Sequence, residues 1–348
     1  MDASEFELRS IPLHGPSKNQ LADFLNRFGL ELEPDLSYAV GLFAGNVLIA
    51  CGGCSTNVIK CVAVDESVQG SGLLATVVTH LYLHLKNNGA ESIFIYTKPE
   101  HKNKFTALGF SMLAETGKIM LLESDPKGIS GFIRKIQNRF SVLPAASGAI
   151  VMNANPFTRG HQYLVRKAAE SCQHLFIFVV QEERSHFPAE IRFRLITEGV
   201  RDILNVTAVN SSSYLISAAS FPTYFLKEKS RIMEDQAELD CTLFAEKIAP
   251  PLRITQRFVG SEPLDPMTNE YNTQMQKVLP AHGIQVVCVP RFEIDSLPVS
   301  ASRVRKLLGE GGPEAVRRLV PETTFAFLQS EEAFPILQAL RQEQSKPC

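Results

Sequence analysis

The sequence predicts an α/β protein made of two domains, and three observations lead to this prediction. The chain has 348 residues, enough for two ordinary cores. Its composition, with 45% hydrophobic and 21% charged residues, is typical of a soluble globular protein. Its first half is rich in strand-like segments followed by helices, whereas its second half alternates strand-like and helix-like segments, which favours a mostly parallel sheet.

The first half contains an uncharged stretch, residues 37–59, that does not read as a membrane span. Glycines and asparagines interrupt it, whereas a membrane helix needs about twenty continuous apolar residues. The pair Gly45-Asn46 lies between Tyr38–Ala44 and Val47–Cys51, which are rich in strand formers. Such a pair typically closes a two-residue hairpin, so we predict buried strands here.

Four further elements are predicted in the first half. Apolar residues between Leu74 and Leu85 recur with helical spacing, and Asn87-Asn88-Gly89 ends that helix. Strands are predicted at Val58–Val64 and Ser92–Tyr96, and a short helix at His101–Leu108.

The composition changes between Asp125 and Gly148, which predicts the boundary between the domains. Residues 129–140 resemble one basic helix, and a small, flexible segment follows. We therefore predict a first domain over residues 1–125, a connector over 126–147 and a second domain over 148–348.

The second half predicts a parallel sheet with helices between its strands. Strands are predicted at Ala149–Asn153, His174–Val180, Val206–Val209, Thr255–Val259 and Ile284–Val289. Helices are predicted at Pro188–Leu204, Glu234–Ala249 and Asn269–Leu279. In such a sheet, ligands bind at the carboxyl ends of the strands.

Charge and cysteine usage narrow the class of protein. The net charge of −2 gives no support for a nucleic-acid or anionic-membrane partner, and we expect neither. The first ten residues are acidic and have no apolar run, so they predict no secretory signal. Seven scattered cysteines fit a reducing cytoplasm. Cys51 and Cys54 form a lone CxxC in a predicted strand, where we expect buried thiols and no metal.

The most informative segment is the break after the apolar run Gly148–Met152. Residues 153–158 form a polar turn, and a helix-like pattern begins at Arg159. A helix start of this kind presents free N–H groups and a positive dipole end, for which phosphate is the usual ligand. Gly160 lets the backbone approach the ligand, and His161 adds a donor that can become cationic. We expect His161 to face the ligand and to add little to folded stability.

A second helix start, within Asp295–Arg305, carries hydroxyls and guanidiniums. Ser300 or Ser302 can cap the helix that continues through Leu308. The plain alternative is that the arginines are only solvated. Fixed positive charge here nevertheless suits displacement at phosphorus, which needs little covalent help from the protein.

Both helix starts resemble signatures of the nucleotidyltransferase superfamily. Thr158-x-Gly160-His161 resembles its histidine–glycine motif, and Val299–Arg305 resembles its Ile-Ser-Ser-Thr-x-x-Arg motif, with three substitutions. The resemblance implies that the two turns converge on one triphosphate. It implies catalytic roles for Thr158, His161 and Arg305, and ATP contacts from Asn153, Asn155, Phe157, Gly160, Ser300, Ser302 and Arg303.

Three longer stretches, Phe178–Pro188, Tyr214–Leu226 and Val259–Asn272, narrow the resemblance. With the first half, they resemble the citrate lyase ligase family over nearly the whole chain. The resemblance implies that ATP and acetate give acetyl-adenylate and pyrophosphate. The prosthetic-group thiol of the citrate lyase acyl carrier subunit then takes the acetyl group and AMP is released. Mg²⁺ bridging the phosphates is also implied, although no carboxylate cage is visible.

The first half resembles a second fold family. Gln69-Gly70-Ser71-Gly72 ahead of a helix resembles the acyl-CoA pyrophosphate loop of the Gcn5-related acetyltransferases (the GNAT fold), and Leu108-Gly109-Phe110 is another common feature of that fold. Leu74 stands where that family often has a small residue, and no catalytic acid or base can be assigned. We therefore expect a GNAT-like recognition domain, followed by a Rossmann-like parallel-sheet nucleotidyltransferase domain.

Two other functions stay open at this point. A nucleotidyltransferase that joins AMP to a phosphorylated cofactor precursor would use the same residues, and the acceptor required for pyrophosphate release distinguishes it. A non-catalytic acyl-CoA or nucleotide sensor would bind ATP without forming AMP.

Overall fold

The structure of the protein is a computed structural model that describes residues 6–181, 185–215, 232–261 and 266–344. These residues form two compact units. The N-terminal unit contains residues 6–132 and 232–243, and the C-terminal unit contains residues 133–215 and 244–344. The domain ranges given by the sequence, with their connector, stay a prediction.

A seven-stranded mixed sheet forms the core of the N-terminal unit. Its strands are β1 (Glu7–Ser10), β2 (Tyr38–Ala44), β3 (Val47–Ser55), β4 (Val58–Val64), β5 (Phe94–Thr97), β6 (Ser111–Glu115) and β7 (Met120–Glu123). Their spatial order is β1-β2-β3-β4-β5-β7-β6. β4 and β5 pair in parallel and all other neighbours are antiparallel, which confirms the mixed sheet of the predicted GNAT-like domain.

The N-terminal unit also contains helices, and β2 and β3 form the predicted hairpin. The turn between β2 and β3 has Gly45 at a φ of 60°, as a two-residue hairpin requires. α2 (Leu73–Asn87) packs on the sheet through its buried apolar face. It approaches closely because Gly52 has no side chain: an added Cβ would lie 2.7 Å from Val77 Cγ1. The other helices of this unit are α1 (Gly15–Asn26), α3 (Lys102–Thr106) and α7 (Ile232–Leu243).

The CxxC cysteines are buried free thiols in β3. Cys51 and Cys54 have no exposed surface, as predicted for small core residues. Burial raises the pKa of Cys54 to about 11, so its thiol stays protonated at neutral pH.

A five-stranded, fully parallel sheet forms the core of the C-terminal unit. Its strands are β8 (Ser147–Met152), β9 (His174–Val179), β10 (Val206–Asn210), β11 (Ile254–Gly260) and β12 (Gln285–Val289), in the order β10-β9-β8-β11-β12. All five predicted strands are therefore confirmed. The strand order reverses between β8 and β11, and ligands of such sheets bind at the carboxyl ends of the strands beside that point.

Helices and one small hairpin complete this part of the chain. α4 (Gly128–Gln137) begins in the N-terminal unit and ends in the C-terminal unit. The other helices are α5 (Arg159–Glu170), α6 (Ala189–Gly199), α8 (Pro266–Ala281), α9 (Ala301–Gly311), α10 (Glu322–Leu328) and α11 (Phe334–Gln344). The hairpin joins β13 (Glu293–Ile294) to β14 (Leu297–Pro298), directly before α9.

Two predicted helices end differently in the structure. The helix predicted at Pro188–Leu204 stops at Gly199, because Val200 leaves the helical conformation at a φ of −120°. Ile203 still packs on the core from the following turn, so the apolar pattern continues after the helix has ended. The helix predicted at Glu234–Ala249 is α7 followed by a π-helical turn, Phe244–Ile248.

Within the described ranges, the structure contains no helix that combines the length and the apolar character needed to cross a membrane.

Candidate active site

The β8–α5 turn holds His161 by a reciprocal pair of hydrogen bonds. Thr158 is the N-cap of α5, and its hydroxyl accepts the backbone N–H of His161 at 3.3 Å. The backbone N–H of Thr158 donates to Nδ1 of the His161 ring at 3.1 Å. This is a capping box in which histidine replaces the usual Glu or Gln. The cap therefore determines both the position and the tautomer of the imidazole.

His161 is a neutral hydrogen-bond donor in this arrangement. Because Nδ1 accepts a hydrogen bond, the ring proton lies on Nε2. Burial and, to a lesser extent, the nearby Arg291 guanidinium lower the pKa of His161 to about 4. At neutral pH this imidazole is therefore neutral in the free protein, because the surrounding protein disfavours the charged ring.

The contacts of His161 predict a contribution to folding stability, whereas the sequence led us to expect little. Its ring stacks on Phe157 with 5.8 Å between centroids, in addition to closing the capping box. Since the unfolded state binds the proton more readily, this contribution decreases as the pH falls from about 6.5 towards 4.

The second helix start is capped by Ser300. Its hydroxyl accepts the backbone N–H of Arg303 at 3.2 Å, which settles which of the two candidate serines caps α9. Ser302 is exposed in the first turn. Two donors of the Arg305 guanidinium are engaged, Nη1 with the Asn155 carbonyl at 2.6 Å and Nη2 with the Ser302 hydroxyl at 3.3 Å.

The two helix starts lie against each other, as the sequence predicts. A Cβ added to Gly160 would lie 2.5 Å from the carbonyl oxygen of Val299, so only glycine allows this approach. The Arg305–Asn155 hydrogen bond joins the same two segments. The positive ends of two helix dipoles therefore converge at the carboxyl edge of the sheet.

Several predicted site residues shape the turn from within. Phe157 and Thr158 have no exposed surface, and their side chains contact the core and His161. The buried Asn155 side chain accepts the backbone N–H of Phe187 at 3.0 Å. Asn153 is exposed and exchanges hydrogen bonds with Ser185. The Arg303 guanidinium turns back to the carbonyls that end β14.

Two arginines of the C-terminal unit were not found by sequence reasoning. Arg291 lies after the carboxyl end of β12, donates from Nε to the Ser261 carbonyl at 2.8 Å, and acts on the pKa of His161. Its position just after a predicted parallel strand could have identified it, because ligands bind at the carboxyl ends of such strands. Arg192 is fully buried on α6 and bonds to Asn153, and its sequence context gave no sign of burial.

The predicted acyl-CoA loop, residues 69–72, lies in the N-terminal unit. Gly70 and Gly72 adopt left-handed φ values of 87° and 80°, and Gly72 is the N-cap of α2. Ser71 and Gln69 direct their side chains back to the carbonyls of Val68 and Val64. The loop thus folds back on itself, and the N-cap Gly72 gives no side-chain hydrogen bond to the first turn of α2.

The side chains at the site fit phosphate better than a metal ion. Across the described ranges, no group of three or more His, Cys, Asp or Glu side chains is placed to hold a cation. The imidazole, guanidinium and hydroxyl groups are donors to phosphate oxygens. The described residues thus provide no magnesium cage.

A parallel sheet with a Gly-His helix start and a Ser-Arg helix start at its carboxyl edge defines a nucleotidyltransferase-type domain. The family model of the citrate lyase ligase C-terminal domain matches residues 147–328, beginning at the first residue of β8.

Characterised relatives extend this match over most of the chain. The citrate (pro-3S)-lyase ligase of Klebsiella pneumoniae is 41% identical over 318 residues, which cover 90% of this chain and 93% of the relative. The enzyme of the same name from Escherichia coli K12 is 38% identical over 317 residues, with 89% and 90% covered. The chain belongs to the citrate lyase ligase family, and it is therefore a ligase. Parts of the three stretches that suggested this family lie outside the described residues.

Two substitutions of His161 should separate its roles. His161→Asn keeps an acceptor near the Nδ1 position but removes the Nε2 donor and the ring that stacks on Phe157, so we expect a modest loss of stability and turnover of ATP reduced about a hundredfold. His161→Ala loses the cap acceptor as well and should cost about 1 kcal/mol more stability than His161→Asn. Steady-state kinetics and urea unfolding measure the two effects. Full activity in His161→Asn would contradict the donor role.

Arg305→Lys should damage the site although it preserves the charge. An ammonium cannot bind the Asn155 carbonyl and a phosphate with the planar fork of a guanidinium. We expect kcat/KM for ATP to fall by about one to two orders of magnitude, as for loss of a charge-assisted hydrogen bond. Arg201→Lys, at an exposed position after α6, is the matched control. Equal kinetics in the two variants would exclude a specific role for the fork.

Proposed function

We propose that this ligase activates acetate with ATP and transfers the acetyl group to the prosthetic-group thiol of the citrate lyase acyl carrier subunit, releasing AMP and pyrophosphate. The names of the relatives support the choice of citrate lyase as the source of the acyl carrier partner. The geometry of the C-terminal unit supports the adenylation step. One observation carries the proposal: the N-termini of α5 and α9 meet, with Arg305 bridging them to the β8–α5 turn.

In the first step, a carboxylate oxygen of acetate attacks the α-phosphorus of ATP. A new O–P bond forms as the bond from the α-phosphorus to the bridging oxygen breaks, and pyrophosphate leaves with the electron pair. Negative charge accumulates on the phosphate oxygens, where preorganised donors lower the barrier most. In this proposal those donors are Nε2–H of His161, the Arg305 guanidinium and the first-turn N–H groups of α5 and α9 that the caps do not engage.

Positioning explains why these residues are held so firmly. An in-line displacement needs the nucleotide fixed on both sides of the reacting phosphorus, and a well-oriented geometry supplies much of the rate enhancement. Thr158 fixes His161 through the capping box, and Ser300 fixes the start of α9. We therefore assign Thr158 and Ser300 positioning roles, and Gly160 the role of allowing the helix starts to meet.

In the second step, the carrier thiol attacks the carbonyl carbon of acetyl-adenylate. A C–S bond forms, the C–O bond to AMP breaks, and the thiol proton is released. AMP leaves as a phosphate monoester, so the donors that bound the triphosphate also stabilise this leaving group. When bound with ATP, Mg²⁺ would supply neutralisation of part of the phosphate charge.

The N-terminal unit has a recognition role in this proposal. The left-handed Gly70 and Gly72 and the start of α2 suit a pyrophosphate or phosphopantetheine group, which would contact residues 69–72. We place the enzyme in the cytoplasm, where thiols such as Cys51 and Cys54 stay reduced.

The decisive experiment follows radiolabelled acetate. With ATP and purified citrate lyase acyl carrier subunit, we expect label on the carrier and equal amounts of AMP and pyrophosphate. Carrier that lacks its prosthetic group should accept no label. Pyrophosphate release that requires a pantetheine phosphate or a nucleotide instead of acetate would show a dinucleotide-forming enzyme. ATP binding without AMP formation, with carrier present, would show a sensor.

A further inference from the structure

Arg192, on α6, is a fully buried arginine that the proposed chemistry does not use. Moving a guanidinium out of water is costly unless hydrogen bonds replace the lost hydration. A chain therefore retains a buried arginine where its several donors join groups that must stay together.

Its hydrogen bonds join two segments that follow neighbouring parallel strands. Nη1 donates to the Asn153 carbonyl at 2.8 Å, to the Asn153 side-chain oxygen at 2.6 Å and to the Val180 carbonyl at 2.7 Å. Nε donates to the Phe187 carbonyl at 2.9 Å. One rigid group thus ties the turn after β8 to both ends of the segment between β9 and α6.

A second set of contacts leads from this segment to the proposed ATP site. The backbone N–H of Phe187 donates to the Asn155 side chain at 3.0 Å, and the Asn155 carbonyl accepts from Arg305 at 2.6 Å. Arg192 and Arg305 therefore hold the same short turn, one at residue 153 and the other at residue 155.

We infer that Arg192 is a positioning residue for the ATP site: it fixes the 153–155 turn and residues 185–187 in the arrangement that Arg305 and His161 require. This inference rests on the proposed function. With its side chain fully buried, Arg192 acts through Asn153 and does not touch the nucleotide.

Arg192→Lys tests the inference, because an ammonium donates from a single point and cannot hold the Asn153 and Phe187 carbonyls together. We expect a folded protein with a higher KM for ATP and a kcat lower by about a hundredfold, as for a small misplacement of reacting groups. Arg192→Gln, a neutral side chain that can satisfy two acceptors, serves the same test if the lysine variant does not fold.

Arg194→Lys is the matched control. Arg194 lies on the same helix in an exposed ion pair with Glu332, so its replacement should leave the kinetics unchanged. If Arg192 acts through Asn153, the effects of Arg192→Lys and Asn153→Ala on kcat/KM should fail to add in the double variant. A folded Arg192 variant that lowers only the melting temperature, with wild-type kcat and KM, would overturn the inference.

Calorimetric titration with ATP alone separates this inference from the proposed function. If the wild-type protein binds ATP but does not activate acetate, the proposed function fails. Weaker ATP binding by Arg192→Lys, with Arg194→Lys unchanged, would still support the inference. Equal affinity in the two variants would overturn it.

Discussion

The contact between Gly160 and the Val299 carbonyl is the constraint on which the proposed site depends. Any side chain at residue 160 would place a carbon 2.5 Å from that oxygen, and real contacts of this kind are not so short. Gly160 is absent from the residues with left-handed φ, so its lack of a side chain, and not its backbone freedom, matters here. Because of this contact, two helix starts distant in sequence present their N–H groups to one region.

Positive potential at this site comes mainly from fixed groups rather than from a charged histidine. The capping box holds His161 as a neutral donor, and burial keeps its pKa at about 4. Helix N-termini and the Arg305 guanidinium stay positive at any physiological pH. Such preorganised groups need little reorganisation when negative charge develops on the phosphate oxygens in the transition state. This property suits the proposed adenylation.

The sequence predicted the strands well but not the internal support of the site. Parallel strands such as β9 are continuous apolar runs, and the Gly45-Asn46 pair marks the hairpin, so local pattern was enough. The capping role of His161 was missed because the usual box has Glu or Gln at that position. Arg192 was missed because an arginine within an amphipathic helix normally faces solvent, and its partners are carbonyls that the chain brings together only on folding.

The most direct test of this account is calorimetric titration of Gly160→Ala with ATP. Gly131→Ala in α4 is the matched control, because an added Cβ there meets nothing within 4 Å. Both substitutions replace glycine by alanine in a helix, which by itself stabilises the helix by about 1 kcal/mol. The account predicts that Gly160→Ala binds ATP at least about tenfold more weakly, a difference of about 1.4 kcal/mol, while Gly131→Ala binds normally. Unchanged affinity in a folded Gly160→Ala protein would contradict the claim that the meeting of the two helix starts forms the ATP site.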